Sequence, residues 1–182
     1  MDEKVVTQSL MKYLFSQPET NVFTVLDGAS VEQLPQLLWK HKPENICLYR
    51  GEQAPDMAAV APYLVKLEYD HPFTKLVCEK GWGNHWGIFV LTPAEVDIRD
   101  LRGHFRKFLM VYDPDGKLIY FRYYDPRVLR TYLPTCNAED IKIVFGPIGN
   151  YITEDEDPSN LLRFTPDGEK LRAEKVKLEQ LQ

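Results

Sequence analysis

Apolar positions recur every four residues in the opening segment, where Val6, Leu10 and Leu14 alternate with Lys4, Gln8 and Lys12. That spacing predicts a short amphipathic helix over residues 2–16, stopped by Pro18. The pattern then becomes continuous: residues 22–26 form an apolar run closed by Asp27-Gly28, which suits a strand covered on both faces. Ser30 as N-cap, with Val31, Leu34, Leu37, Leu38 and His41 on one face, predicts a helix that ends before Pro43. Pro35 is tolerated in its first turn. Residues 46–49 read as a second buried strand, and strand, helix, strand begins an α/β alternation. Residues 61–67 continue it as a strand with Pro62 at its beginning or on an edge. Residues 72–80 follow as a helix halted by Gly81 and Gly83, and residues 86–91 as another strand. Thr92 as N-cap, Pro93 at the first helical position and Glu95 at the third predict a helix reaching about Arg106.

Beyond that point the grammar changes. Residues 107–112 and 117–124 flank Asp113-Pro114-Asp115-Gly116, whose proline and glycine suit a type I turn, so a hairpin is predicted. Helices follow over 126–133 and 137–141, and residues 143–145 are a strand or a helix end. Residues 154–158 read as a solvated acidic loop. A second hairpin runs from Leu161 across Thr165-Pro166-Asp167-Gly168, and the charged residues 169–182 are either helical or frayed. The expected fold is α/β in the mixed α+β sense, with a mostly mixed central sheet, flanking helices and a C-terminal lobe containing the hairpins. One domain over residues 1–182 accommodates it, with a lobe boundary near 106.

Composition narrows the function classes. With 182 residues, 44% hydrophobic and 27% charged, the chain is sized and balanced for one globular domain and not for disorder. Lys and Arg number 22 against 27 Asp and Glu, a net charge of -5, which argues against nucleic acid as a partner. No apolar run approaches the roughly 18–20 residues of a membrane span, and the acidic start MDEKVVTQSL lacks a signal-peptide core. Cys47, Cys78 and Cys136 are odd in number and form no CxxC pair, which fits a reducing, cytoplasmic setting. The 12% aromatics and 13 prolines exceed what a plain helix bundle carries and suit strands and contact surfaces.

Motifs for catalysis are largely absent. His41, His71, His85 and His104 stand apart from one another and from the cysteines, so no metal site is expected. Gly81-Trp82-Gly83 begins a phosphate-binding fingerprint but lacks its third glycine and a helix opening. Cys78 with His85 is the one candidate nucleophile pair, and Cys78 beside Leu76 and Val77 has the spacing of a buried, inert thiol. No catalytic residue and no cofactor is expected. The densest polar group is Arg122-Tyr123-Tyr124-Asp125-Pro126-Arg127, with Arg130 one turn later. On a strand ending near Tyr124, Arg122 and Tyr124 share one face and Tyr123 takes the other. Asp125 before Pro126 is placed to cap a helix, and Arg127 in that helix's first turn needs a carboxylate or a partner against the dipole. The group reads first as an internal Arg–Asp network fixing a strand-to-helix corner, and beside that as a docking patch. Both hold together if Arg122 is structural while Arg127 and Arg130 face outward. Trp86, heading a strand, reads as core; Trp82, between two glycines, reads as an exposed anchor.

Several segments in order carry a resemblance: Leu26-Asp27-Gly28-Ala29, Ala61-Pro62-Tyr63-Leu64-Val65, Trp86-Gly87, then Asp115-Gly116-Lys117 leading into Phe121 to Arg127, and Phe145-Gly146-Pro147-Ile148. Over residues 22–165 the chain resembles the effector-chaperone, or adaptor, domain of bacterial type VI secretion systems, and Arg-Tyr-Tyr-Asp-Pro-Arg is the most specific piece. The resemblance implies a cytoplasmic, non-catalytic protein that binds a toxic effector, usually through the effector's N-terminal part, and delivers it to the trimeric spike protein. Arg122, Asp125, Pro126 and Arg127 are signature positions, with no cargo contact assigned to them. Nucleic acid and membrane are not expected partners. The mild net acidity predicts a neutral or basic cargo segment. Two other readings stand beside it: an immunity-like or other protein-binding module, and an enzyme acting at a cleft of Arg122, Tyr124 and Asp125.

Overall fold

The apolar run at residues 22–26 becomes the interior of a strand that is covered on both sides, and this organises everything around it. In a computed structural model, which describes residues 3–113 and 115–180, chain order runs α1 (Glu3–Leu14), β1 (Thr20–Asp27), α2 (Leu34–His41), β2 (Asn45–Cys47), α3 (Pro55–Val60), β3 (Pro62–Leu67), α4 (Pro72–Leu76) with a π-helical turn over Val77–Gly81, and β4 (Gly87–Pro93). It continues with α5 (Ile98–Phe105), β5 (Met110–Tyr112), β6 (Leu118–Tyr120), α6 (Pro126–Tyr132), α7 (Ala138–Phe145), β7 (Asn150–Glu154), β8 (Asn160–Asp167) and β9 (Lys170–Lys177). Seven strands form one sheet in the order β2-β3-β1-β4-β7-β8-β9, and β5 with β6 makes a separate ribbon.

The fold is mixed α+β. Successive residues of β1 alternate between two apolar layers. Phe23 and Val25 join Ile88, Val90 and Tyr151 beneath α5, α6 and α7. Val22 and Leu26 join Phe89, Leu91 and Ile152 beneath α1, α2 and α4. Every strand pairing is antiparallel, where mixed directions are expected from the sequence. Apolar patterning reports burial and not direction: β1 and β2 do not pair, because β3 lies between them.

Local differences have local causes. α2 starts at Leu34, because Ser30 turns its hydroxyl to Asp27 Oδ2 (3.1 Å) and Gln33 adopts a left-handed backbone before the helix. β2 is a short, partly exposed edge strand and not a buried one. Thr92 and Pro93 end β4, and α5 is instead capped by Asp97, which accepts from the backbone N–H groups of Arg99 and Asp100. Residues 143–145 complete α7, and α3 and β7 arise where no element is read from the pattern. Glu154 is buried at the end of β7, so the acidic run 154–158 starts inside the sheet. The charged stretch after Gly168 forms β9, paired along β8, and a 3-10 turn over Leu178–Gln180. The first hairpin forms with three-residue strands; Pro114 of its turn, position 2 of the predicted first helix and the final residues 181–182 lie outside the described residues.

Candidate functional site

Asp27 is the last residue of β1 and, two positions on from Val25, projects to the same face. Its carboxylate is 1% exposed and accepts hydrogen bonds from Ala29 N (3.0 Å), Ser30 Oγ (3.1 Å) and the Arg122 guanidinium. The backbone around it is held as closely. Asp27 N donates to Trp86 O (2.8 Å) and Gly28 N to Ala61 O (3.1 Å). A Cβ at Gly28 would stand 2.5 Å from Ala61 O, and one at Gly87 would stand 2.0 Å from Val25 O. Glycine is therefore required at both by space alone. Asp-Gly-Ala, Ala-Pro, Trp-Gly and Arg-Tyr-Tyr-Asp-Pro-Arg, far apart in sequence, meet at this one corner.

Arg122 links the corner to α6, with its Nη2 3.9 Å from Asp125 Oδ2. Asp125 caps α6 by accepting from Arg127 N (2.9 Å), and Arg127 returns a two-pronged pair through Nε (3.0 Å) and Nη2 (2.7 Å). This supplies the carboxylate that a cation in a helix's first turn requires. Burial pushes the Asp125 carboxyl upward, but the Arg127 and Arg122 guanidinia outweigh it and hold it below the ordinary value. Tyr124 is buried, and burial, then the neighbouring Tyr49 and Asp27, raise its pKa. Tyr123 is buried too, stacked on Phe105 at 5.4 Å. The expected split of these tyrosines across two faces does not occur, because the strand ends at Tyr120 and residues 123–124 form a turn.

Arg130 belongs to a second group. Its Nη1 donates to Glu154 O (3.4 Å), and the Glu154 carboxylate accepts from Gly83 N (2.5 Å), His85 N (3.2 Å) and the His85 ring at Nδ1. Trp82, expected to be an exposed anchor, is 8% exposed, and its Nε1 donates to Pro158 O (2.7 Å). Its glycine neighbours serve Glu154 and the π-helical turn, not the exposure of the ring. Trp86, expected to head a strand in the core, stands just before β4 and is only half-buried, packed against the core layer beneath α1. The arginines thus divide: Arg122 and Arg127 lock the β1–α6 corner, while Arg130 reaches toward β7. Asp27 and Glu154 are absent from the sequence-derived candidates, and His85 is weighed there only beside Cys78 and as a metal ligand, never against Glu154. Of the first two, only Asp27 has a signal, its place in the Asp-Gly-Ala segment.

The corner is electrostatically closed. Asp27 and Asp125 are matched by Arg122 and Arg127, and backbone donors occupy further carboxylate lone pairs. A cleft of about 320 Å³ beside Trp82 is bordered by Cys78, whose thiol burial pushes up to about 12, far from a reactive thiolate. Among the described residues no group of three or more His, Cys, Asp or Glu is placed to hold a metal ion, and no helix is long and apolar enough to cross a membrane.

Comparison with curated proteins gives no match, and comparison with solved structures gives none. A family does match. The corner residues from Asp27 to Arg127, and Arg130 beyond them, all lie within residues 22–142, the stretch that fits the family described as Domain of unknown function (DUF4123). Because that stretch is well over half of the chain and contains the whole constellation, the protein belongs to the DUF4123 family.

Proposed function

We propose that this protein is a non-catalytic cytoplasmic adaptor that binds a type VI secretion effector and helps load it onto the spike protein. The DUF4123 family is compatible with that role. The observation that carries the reading is the destination of the signature residues. Arg122, Asp125 and Arg127 pair with one another and with Asp27, so the most distinctive segment builds a rigid corner. An acid–base catalyst needs a carboxylate free to exchange a proton with a substrate, and here Asp125 is engaged by three donors of Arg127. A scaffold of this kind serves recognition by surfaces mounted on it.

The test is co-expression with an effector encoded beside the gene, followed by gel filtration and capture on immobilised spike protein. A complex burying on the order of 1,200–2,000 Å² should survive gel filtration and yield to the spike. Absence of a complex with either protein overturns the reading. Rescue of cells from the isolated toxic domain of the effector would instead establish an immunity-like module.

A further inference from the structure

The β5–β6 ribbon carries four of the nine exposed large hydrophobic residues among the described residues. Tyr112 is 74% exposed, and Leu118, Tyr120 and Ile119 are also exposed. Register sorts them. Met110 faces Tyr120 and Tyr112 faces Leu118, so these four share one face, while Val111 and Ile119 occupy the other. The ribbon pairs with no other strand, which leaves backbone donors and acceptors along its outer edges.

The Met110 and Tyr120 end of that apolar stripe opens into a cleft of about 460 Å³ whose rim carries Arg50, Arg106 and Lys107. Tyr49 packs on Tyr120 at 5.3 Å and forms its wall. Arg106 donates through Nε to Leu48 O (2.8 Å) and through Nη2 to Tyr49 O, two of its five N–H donors, and Arg102 donates to Cys47 O (3.0 Å). None of the ion pairs among the described residues involves Arg50, Arg102, Arg106 or Lys107. In a chain of net charge -5, this is a local concentration of cations without carboxylates. Burial, and then repulsion from Arg102 and Arg50, depress the pKa of Arg106, so the cations are close enough to disfavour one another. An anion seated in the cleft relieves that repulsion.

We propose that this surface binds an acidic, apolar-flanked segment of the protein partner in extended conformation, with carboxylates in the Arg50–Arg106–Lys107 cleft and apolar side chains along the Met110–Tyr120–Tyr112–Leu118 stripe. The inference rests on the adaptor reading for the identity of the partner, and it reverses the cargo charge that net acidity alone predicts. The apolar ribbon favours a peptide over nucleic acid or free phosphate, because neither of those has aliphatic side chains to lay along leucine and methionine. Three-residue strands, at about 3.3 Å per residue, contact roughly 10 Å of an extended chain, so the segment is short and contributes affinity together with other contacts.

The assay is fluorescence anisotropy with the full chain and a labelled ten-residue peptide alternating glutamate and leucine. Glutamine–leucine and lysine–leucine peptides of the same length, and a ten-nucleotide single-stranded DNA, serve as comparisons. The glutamate peptide should bind, weaken as salt rises, and bind at least tenfold more weakly to the R50E/K107E variant; both of those residues are exposed. L118S should weaken it without altering the salt dependence, and circular dichroism confirms that each variant folds. Equal binding of the glutamine peptide, indifference to R50E/K107E, or tighter binding of the DNA overturns the proposal. In the co-purification assay, an effector complex undiminished by R50E/K107E removes this inference and leaves the adaptor reading intact. Failure of the unmodified chain to form any complex removes the adaptor reading, and the peptide assay still decides the chemistry of the surface.

Discussion

Removing Arg122 should cost more than neutralising Asp27, although the two are partners in one ion pair. The reason is their unequal access to water: the Asp27 side chain is 1% exposed and that of Arg122 is 46% exposed. When Asp27→Asn removes the negative charge, Arg122 is already half in water and stays 3.9 Å from Asp125, so it rehydrates. The loss is close to that of one hydrogen bond to a charged group in a partly solvated site, about 1 kcal/mol. When Arg122→Ala removes the cation, a carboxylate out of contact with solvent keeps only Ala29 N and Ser30 Oγ as donors. Breaking a buried pair in this direction costs about 3–5 kcal/mol, and the two remaining donors place the loss near the lower end, about 3 kcal/mol. The double variant should then be more stable than Arg122→Ala alone, because the stranded charge is gone. Urea unfolding followed by tryptophan fluorescence reads the differences directly. In a chain of this length they correspond to melting shifts of about 6–12 °C for Arg122→Ala and about 2–4 °C for Asp27→Asn. Equal losses in the two single variants, or a double variant that simply adds them, would refute the desolvation argument.

Other outcomes follow from the same structure. Gly28→Ala should destabilise by about 1–3 kcal/mol through contact with the Ala59 and Ala61 carbonyls. Gly103→Ala, in α5 with nothing within 4 Å of the new methyl, should stabilise by about 0.5–1 kcal/mol; paired melts check the opposite signs. Tyr124→Ala should cost about 3–5 kcal/mol for the buried ring, and Tyr124→Phe, which keeps the ring, no more than about 1 kcal/mol, both measured by urea midpoints. His104 is buried, its Nε2 donates to Val144 O (2.8 Å), and burial followed by Lys107 depresses its pKa below 6.5. Its neutral ring therefore contributes stability that is full above 6.5 and is lost as the pH falls through its folded value, because the unfolded chain takes up the proton first. His104→Gln should flatten that part of the stability–pH curve, and an unchanged slope would dismiss His104 as its source.

Those contrasts show which features the sequence carries. The double-sided apolar run of β1, the opening of β3 at Pro62, the Asp125 cap and the pairing of Arg127 with a carboxylate are all encoded within a few neighbouring residues. They were legible for that reason. The partner of Arg122 is Asp27, 95 positions away, and that of the Glu154 carboxylate is His85, 69 positions away; no local periodicity encodes such meetings. Trp82 misled for the same reason, since Pro158, which receives its N–H, lies 76 positions on. Thr92-Pro93 mimics a helix start because its capping chemistry is sound locally, and pairing of β4 with β1 overrides it. Strand direction was illegible because it depends on the order in which distant strands pack.

The position of β1 also sets a problem of timing. It is the earliest strand described and ends in the interior of the sheet, yet its neighbours β3 and β4 are both translated later, and Thr20 pairs with Pro93. At about 5–20 residues per second of synthesis, the ribosome leaves this strand without its β4 edge for on the order of several seconds. During that interval a segment apolar on both faces has unpaired backbone on at least one side, the state most open to association with other nascent chains. The burden of shielding the unfinished β1 thus falls on whatever meets the chain at the ribosome, until β4 has been made.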